Sequence, residues 1–545
     1  MPNWLRPHLK ISRRTLTLAV IVAVTAMFSA QVTILDQFEL RTYDLRFLSR
    51  GPLPTSSSIV LAMIDEKSLD SQGRWPWPRA RFAELIERVA GDGARVIAFD
   101  VGFLEPDENS QLQLLDSLNA RLGELRDTHP QLSAYLSETR ERADNDQLLA
   151  DAMRKSSASI VLGYFFHMQG SRPGYEVTPD EIAEQLTRID GSKYPLVTYR
   201  GGTAGTAAIP RAYAPESNLA ALTEAATSSG YFSVKQDSDG TVRWMPLVVA
   251  GGDELFPPLS VLAAWHYLDR PPLMVRVGPY GVEGLQLGET LVPTDESGRL
   301  LVNYLGPPGT FPQVSISDVL AGRVPPETFR DKIVLVGATA TGIYDMRTTP
   351  FSPVHPGVEI HASVMDNLIS RRFIARPGWS ETYDVFAIVV LSIVAGLGLW
   401  RLSPLPSVLF CAVLFFVHVY VAREMFVRFG LWLNIVYPLL ALIATYLSIT
   451  VYEFVSEQRE RQRLRNAFGQ YVASEVVEAI VKDPASLQLG GEEKDLTVLF
   501  SDLQGFTSYS ERYTPQQMIE LLSEYYARMT ERVFACGGTL KEYVG

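Results

Sequence analysis

The sequence LTVLFSDLQGFT, residues 496–507, joins an apolar run to an acidic residue and a turn rich in small residues. The apolar run predicts a buried strand that ends near Asp502. Gly505 then predicts a tight turn. The stretch TPQQMIELLSEYYARMTERVFACG predicts a helix from about Thr514, with Pro515 at the favoured first helical position. This order of strand, turn and helix presents one carboxylate and several backbone N–H groups at one point.

A carboxylate followed by exposed backbone N–H groups is suited to holding Mg²⁺ and a polyphosphate together. Magnesium takes few protein ligands and keeps phosphate oxygens of its substrate, so one or two carboxylates are enough. The residues alone also allow a second interpretation, in which Asp502 only caps the turn.

The motif FSDLQGFT, the helix after it and the closing GGTLKEYVG resemble the class III nucleotide cyclases, and FGQYVASEVV extends the resemblance back to about Phe468. The resemblance implies that residues 491–545 are the N-terminal part of a ferredoxin-like α+β catalytic domain. It also implies two Mg²⁺ or Mn²⁺ ions in each active site. The residues that it assigns to metal or triphosphate are Asp502, the carbonyl of Leu503, and the amides of Gly505, Phe506 and Thr507.

The family's reaction is an attack of the ribose 3′-hydroxyl on the α-phosphorus, with release of pyrophosphate. The family's site forms between two catalytic domains, so the resemblance also implies a homodimer. In the family a second metal aspartate follows the glycine that corresponds to Gly545, where this chain ends. The family's transition-state residues lie further on. We therefore expect this chain to be inactive by itself.

The identity of the nucleotide depends on Glu542, which follows Lys541. At this position the family's adenylate cyclases usually carry lysine and its guanylate cyclases glutamate. A carboxylate can accept hydrogen bonds from guanine, which favours GTP. Family members with a similar sensor mostly use ATP, so we expect an adenylate cyclase and keep a guanylate cyclase as the alternative.

The composition indicates a membrane protein with several domains. Of 545 residues, 47% are hydrophobic and 20% are charged, and the mean hydropathy of +0.06 is high for a soluble chain. A formal net charge of −12 argues against nucleic acid as a partner. Neither Cys411 nor Cys536 lies in the predicted outer domain, so we expect no disulfide framework there.

Four apolar runs have about the length that a bilayer requires. Basic residues in segment 1–14 and after the fourth run place both termini in the cytoplasm. A cleaved signal peptide in place of the first span, and a re-entrant second or third run, are the alternatives. We expect a multi-pass protein of the bacterial inner (plasma) membrane. The predicted transmembrane helices are residues 15–35, 383–400, 405–422 and 431–452.

Residues 36–382 are predicted to form a periplasmic or extracellular sensor domain. Runs rich in β-branched residues, such as SIVLAMI, ARVIAFDV and KIVLVGAT, alternate with helical stretches, which indicates α/β units with buried parallel strands. The region resembles the second type of extracellular sensing domain associated with cyclases and histidine kinases. The stretches LRTYDLRF, IDEKSLDSQGRWPWPR and HPGVEIHASVMDNL carry this resemblance. It implies a sensor whose ligand is unknown.

Several polar residues of this domain allow a structural and a functional interpretation. Asp65 and Asp100 follow predicted strands, at the sheet edge where open α/β folds bind ligands. The indoles of Trp75 and Trp77 fit a rigid turn that covers the sheet edge better than a stacking platform for a ligand. The sequence DSDG, residues 237–240, fits a hairpin turn better than a calcium loop. His361 with His355 is weak evidence for zinc.

Residues 453–490 are predicted to be a signalling helix and linker, formed by a helix that leaves the membrane and a shorter amphipathic helix. We expect the first helix to pair with a second copy and to transmit a shift from the sensor. A diguanylate cyclase is disfavoured because the GGEEK at Gly490 precedes its strand. A histidine kinase is also disfavoured, because no dimerising helix with a phosphoacceptor histidine follows the last predicted span. A catalytically silent dimerisation module remains the alternative from another functional class.

Overall fold

The computed structural model describes residues 12–121, 130–168, 177–201, 204–340, 342–343, 345–468, 493 and 495–543. The chain forms two compact units. One unit contains residues 23–391 and 412–441, and the other is built from the remaining described residues.

Seventeen strands are formed by the described residues. In chain order they are β1 (Ile59–Ile64), β2 (Val96–Phe99), β3 (Ser159–Met168), β4 (Leu196–Tyr199), β5 (Ala212–Glu216), β6 (Ser228–Tyr231), β7 (Trp244–Pro246), β8 (Val249–Gly251), β9 (Glu254–Phe256), β10 (Leu273–Val277), β11 (Val282–Leu287), β12 (Thr290–Val292), β13 (Arg299–Leu301), β14 (Gln313–Ser315), β15 (Ile333–Ala338), β16 (Met346–Arg347) and β17 (His355–Pro356).

The α-helices of the described residues are α1 (Arg13–Ser29), α2 (Thr33–Arg50), α3 (Glu66–Gln72), α4 (Arg79–Gly91), α5 (Ser110–Arg121), α6 (Pro130–Ala143), α7 (Asn145–Lys155), α8 (Pro179–Ile189), α9 (Ala220–Ala225), α10 (Leu259–Tyr267), α11 (Ile316–Leu320), α12 (Gly357–Ser370), α13 (Trp379–Leu399), α14 (Pro404–Phe429), α15 (Val436–Phe468), α16 (Phe506–Ser510) and α17 (Pro515–Ala535).

A seven-stranded sheet forms the centre of the larger unit. Its strand order is β14-β1-β15-β2-β3-β5, and β6 also pairs with β3. Every pairing is parallel except that of β5 with β3. The β-branched runs of the sequence therefore form the parallel α/β sheet that they predict.

Helices cover both faces of this sheet, which explains why its strands are apolar on both sides. Alternate residues of β1 enter two different cores: Val60 lies in one and Leu61 in the other. Helices α4 and α7 pack on the first face, and α10 and α12 pack on the second. A four-stranded sheet in the order β12-β11-β10-β4 lies in the same unit.

Helix α2 attaches to the outer domain through aromatic and charged side chains. Tyr43 and Phe47 are fully buried, and the Phe47 ring lies 6.2 Å from that of Tyr304. Arg243, which is also fully buried, binds both carboxylate oxygens of Asp44 at 2.8 and 2.7 Å. Helix α2 is therefore part of the domain's core and not a loose linker.

Three helices, α13, α14 and residues 436–463 of α15, are long and apolar enough to cross a membrane, and the bent pair α1 and α2 would make four. The predicted span 15–35 is wrong as one helix: α1 ends at Ser29 and α2 continues at an angle of 80°. Gln31 has a φ of 48° at the bend, a conformation that a continuous helix excludes.

The other boundaries also shift. The predicted span 431–452 begins too early, because residues 431–435 form a loop before α15. Most of the separator REMFVRFG forms the last turns of α14. Helix α15 then runs without a break to Phe468, which confirms a helix that continues beyond the apolar run. The second predicted helix, with Val472, Val476, Val477 and Ile480 on one face, lies outside the described residues, as do Gly490 and Gly545.

The predicted strand before Asp502 is not formed. Residues 495–503 have no regular secondary structure, and the run is solvent-exposed, with Phe500 91% and Leu496 77% accessible. A strand needs a hydrogen-bonded neighbour, and no strand of the described residues pairs with this segment. The helix after it is formed as predicted, with Pro515 in its first turn.

Candidate functional site

The turn at residues 502–507 has the backbone conformation that its sequence predicts. Gly505 has a φ of 78°, which suits glycine because it has no Cβ. The amide of Phe506 donates to the Leu503 carbonyl at 3.2 Å, and the amides of Ser508 and Tyr509 donate to the Gly505 carbonyl at 2.9 and 3.3 Å. The short helix α16 therefore starts directly at the glycine.

Asp502 lies at the surface before this turn. One of its carboxylate oxygens accepts the amide of Leu503 at 2.9 Å, and the side chain remains exposed. Among the described residues, no three His, Cys, Asp or Glu side chains are grouped so that they could hold a metal ion. The structure therefore offers one carboxylate here, together with backbone carbonyl oxygens.

Glu542 lies on the segment that follows α17. Its carboxylate pairs with Lys541 at 3.2 Å and is exposed. The next residue, Tyr543, packs its ring 4.6 Å from that of Tyr526 on α17, and its hydroxyl lies 2.5 Å from that of Thr530. No hydrogen bond or ion pair of the described residues joins Glu542 to the turn at Asp502.

Helix α17 is fixed at its start by a capping box. The Thr514 hydroxyl accepts the amide of Gln517 at 3.4 Å, and the Gln517 side chain accepts the amide of Thr514 at 3.0 Å. Met518 is the one residue of this helix that is buried. Most of the surface of this helix is therefore exposed to solvent, as is the apolar run before Asp502.

Asp65 and Trp77 of the outer domain have structural partners, and Asp100 is half-buried. Asp65 caps α3: it accepts the Ser68 amide at 2.9 Å and the Ser315 hydroxyl at 2.8 Å. Burial, together with the nearby Asp345, raises the pKa of Asp100 well above its usual range. The Trp77 indole is buried and donates to the Gly73 carbonyl at 3.0 Å.

The carboxylates of the DSDG turn bind an arginine. Asp237 and Asp239 each accept Arg243 at 2.9 Å, and the Asp237 amide donates to Thr241 across the turn at 2.9 Å. Burial lowers the pKa of His361 to about 4. These contacts agree with the structural interpretation of the turn and the histidine.

The sequence interpretation missed a buried polar cluster on α2. Glu39, only 3% exposed, accepts four hydrogen bonds. Two come from the side chains of Arg46 at 2.7 Å and Trp432 at 3.0 Å. Two come from the amides of Ile435 at 2.9 Å and Val436 at 3.0 Å, at the N-terminus of α15. The carboxylate therefore caps the helix that leads towards the cyclase motif.

A spacing of seven residues could have indicated this cluster. Glu39, Tyr43 and Arg46 recur at helical intervals, so they share one face of α2. Tyr43 lies on the same face and packs its ring 4.7 Å from that of Trp432. The other partners of Glu39 could not be predicted, since Trp432, Ile435 and Val436 lie almost four hundred residues away in the chain.

A comparison with family models identifies the larger unit. The model of the CHASE2 domain matches residues 18–397, more than half of the chain. The chain belongs to the CHASE2 family. The model described as Adenylate and Guanylate cyclase catalytic domain matches residues 491–536. This CHASE2 protein thus joins an N-terminal sensor domain to a fragment that matches part of a cyclase catalytic domain.

Curated relatives of the CHASE2 protein match a small part of it. Uncharacterized proteins from Mycobacterium bovis and Mycobacterium tuberculosis are each 32% identical over 91 residues, which is 17% of this chain and 16% of theirs. A second M. tuberculosis protein is 31% identical over 91 residues, 17% of each chain. The chain thus spans about a sixth of the length of these relatives. No solved structure matches it significantly.

Proposed function

We propose that this CHASE2 protein is a membrane receptor adenylate cyclase that converts ATP to cyclic AMP and pyrophosphate when its sensor receives a signal outside the cytoplasm. The observation that carries the proposal is the cyclase family match at residues 491–536, together with the CHASE2 match at residues 18–397. Three helices that could span a membrane, α13, α14 and α15, precede the cyclase match, and the bent pair α1 and α2 lies near the start of the CHASE2 match. We place the protein in the bacterial inner membrane, with both termini in the cytoplasm.

The oxygen atoms at Asp502 and Leu503 are of the chemical type that binds a magnesium or manganese ion. Both the Asp502 carboxylate and the Leu503 carbonyl are hard oxygen ligands, and such ions complete their coordination with waters and phosphate oxygens. When bound, two such ions lower the pKa of the attacking hydroxyl and stabilise charge on the phosphate. The Leu503 carbonyl also accepts the Phe506 amide at 3.2 Å, so ligation by this oxygen would compete with the turn.

The chain's own groups position the triphosphate. The turn begins with Gly505 in a left-handed conformation, and a Cβ at Gly505 would meet one atom within 4 Å, from the ring of Tyr509. Glycine is therefore required there by its backbone angle and not by crowding. We assign the amides of Gly505, Phe506 and Thr507 to the phosphate oxygens, and we infer that a homodimer completes the site.

The alternative substrate is GTP, and Glu542 favours it. This carboxylate is exposed and paired only with its neighbour Lys541 among the described residues, so it is available to accept hydrogen bonds from guanine. Either nucleotide fits the proposal of a cyclase. The choice between ATP and GTP depends on the hydrogen bonds that the nucleotide base makes with Glu542.

The proposal is tested in membranes that contain the protein with a complete catalytic domain. With Mg²⁺ or Mn²⁺ we expect cyclic AMP from ATP in excess of cyclic GMP from GTP. In Glu542→Lys the ratio of cyclic AMP to cyclic GMP rises, because a lysine donates where guanine also donates. If neither nucleotide is cyclised under any condition, the catalytically silent receptor is the correct interpretation.

A further inference from the structure

Helix α2 carries an apolar stripe on its outer side. Five exposed residues recur at intervals of four, three, four and three, which places them on one face of the helix. Four of them are large hydrophobic side chains, each more than half exposed. We call these five residues the α2 stripe: Ile34, Phe38, Arg41, Leu45 and Leu48. A row of exposed apolar side chains of this length indicates a surface that contacts a partner.

The opposite face of α2 is already packed. Tyr43 and Phe47 are fully buried in the core of the outer domain, and Glu39 and Arg46 are buried on the same side of the helix. A helix on the surface of a soluble domain presents polar residues on the side away from its core. Helix α2 is apolar on that side as well, so packing within the outer domain does not account for the α2 stripe.

Both ends of α2 contact helices that could span a membrane, at the sensor-side ends of those helices. Asp36, in the first turn of α2, accepts the Tyr437 hydroxyl at 2.9 Å, and α15 begins at Val436. The Ser49 carbonyl, in the last turn of α2, accepts the side chain of Arg423 at 3.0 Å. Arg423 is the first charged residue of α14 and ends its apolar part. Because α2 is fixed at both ends to this boundary, it runs along the membrane surface and not away from it.

Arg41 decides between the two surfaces that such a stripe could contact, a second copy of α2 or the lipid bilayer. It lies at the centre of the α2 stripe, is exposed, and has no ion pair or hydrogen bond with any described residue. Pairing two α2 stripes about a two-fold axis would bring the two Arg41 side chains together, and like charges in such a contact are unfavourable. At a bilayer surface the arginine stem lies along the apolar region while its guanidinium reaches the lipid phosphates. The charge therefore favours the bilayer.

We propose that the α2 stripe inserts into the lipid leaflet on the sensor side of the membrane. Its four apolar side chains enter the boundary between headgroups and acyl chains, as in other amphipathic helices that lie in a membrane surface. Arg41 binds the phosphate of a lipid headgroup. Since Tyr43 and Phe47 on the other face belong to the core of the outer domain, α2 connects this domain directly to the bilayer.

The test measures the depth of α2 in vesicles by electron paramagnetic resonance. The full chain, with Cys411→Ala and Cys536→Ser, carries a nitroxide at Phe38→Cys or Leu45→Cys in vesicles of phosphatidylcholine and phosphatidylglycerol. Relaxation of the label by oxygen, which concentrates in the bilayer, is compared with relaxation by a water-soluble nickel complex, and the ratio gives the depth. We expect depths of about 5–10 Å at both positions. A control label at Glu87→Cys, an exposed position of α4, should be relaxed as strongly by nickel as a label in water.

A further substitution connects this depth to the α2 stripe itself. Leu45→Asp places a carboxylate in the apolar row, so the label at position 38 should move towards water, because a charge is costly in an apolar region. Leu45→Phe keeps the row apolar and should leave the depth of that label unchanged. All labelled positions are exposed, so the labels do not disturb the core.

Three results would overturn the proposal. The first is relaxation by nickel at positions 38 and 45 that is as strong as at the control position, which would place α2 in water. The second is an unchanged depth in Leu45→Asp, which would show that the spans alone set the position of α2. The third is shielding of both labels from oxygen and nickel alike, with dipolar broadening of their spectra, which would show that a second copy covers the α2 stripe.

Discussion

At the scale of single residues, Glu39 and Arg46 form the most consequential pair of the junction between the sensor and α15. Both side chains are about 3% exposed and 2.7 Å apart. Removing one partner from a buried pair leaves an uncompensated charge, which costs about 3–5 kcal/mol. We therefore expect Glu39→Gln and Arg46→Met each to lower the free energy of unfolding by about this amount, measured by chemical denaturation in detergent.

The double variant is the control for this pair. Because neither charge is then left alone, Glu39→Gln with Arg46→Met should lose less than the sum of the single variants, by at least about 1 kcal/mol. Strict additivity would show that the two side chains act independently and that the pair does not stabilise the junction.

Three buried histidines of the outer domain should make its stability depend on pH. Burial lowers the pKa of His266, His355 and His361 to about 4. Since the unfolded pKa is about 6.5, the unfolded chain binds more protons between these values. Stability is therefore complete above pH 6.5 and falls as the pH drops towards 4, by up to about 1.4 kcal/mol per pH unit for each histidine.

His361→Gln isolates one of these contributions. Glutamine can still donate to the Phe232 carbonyl, which the His361 ring contacts at 3.2 Å, but it does not titrate. The slope of unfolding free energy against pH between 4 and 6.5 should be smaller in this variant than in the wild type. Equal slopes would mean that His361 is protonated in the folded domain.

Much at this scale could be read from the sequence, and some could not. The turn at Gly505 and the helix start at Pro515 follow from local residue types, so they were predicted correctly. The contacts of Arg243 with Asp44 and of Glu39 with Trp432 join distant segments. Nothing local in the sequence indicates these long-range partners.

At the scale of elements, the strands of the large sheet were predictable because runs such as IVLAMI are apolar on both faces. The order of the strands in the sheet was not predictable, since β1 pairs with β14 and β15 from the other end of the domain. The same kind of run before Asp502 predicted a strand that is absent. Apolar residues favour a strand only where a neighbour is present to pair with it.

The continuous helix α15 leads to a prediction about signal transmission. It runs from Val436, where Glu39 caps it, to Phe468 without a break. One inserted residue rotates everything after it by about 100°, and seven restore the phase to within about 20°. Insertions of one to three residues at Gln462 should therefore alter cyclase regulation, whereas an insertion of seven should largely preserve it.

The measurement is cyclic nucleotide production in membranes that contain the protein with a complete catalytic domain. If all insertions behave alike, regardless of length, rotation or shift of this helix does not carry the signal. The insertions lie far from Asp502 in the chain, so we expect them to leave the catalytic site intact. As a control, the activity of each insertion variant is measured with Mn²⁺ and saturating nucleotide.

At the scale of the whole molecule, the CHASE2 match comes first in the chain and the cyclase match comes last. The sequence predicted this organisation because each domain has motifs that recur along its length. The ligand of the sensor does not follow from these motifs.

The central claim is tested most directly by replacing the carboxylate of the cyclase motif. In the protein with a complete catalytic domain, Asp502→Asn should lower the rate of cyclic nucleotide formation by about a hundredfold or more, as expected for loss of a group that stabilises transition-state charge. Asp495→Asn, in the same exposed segment, should retain the wild-type rate. Undiminished cyclisation by Asp502→Asn would contradict the account.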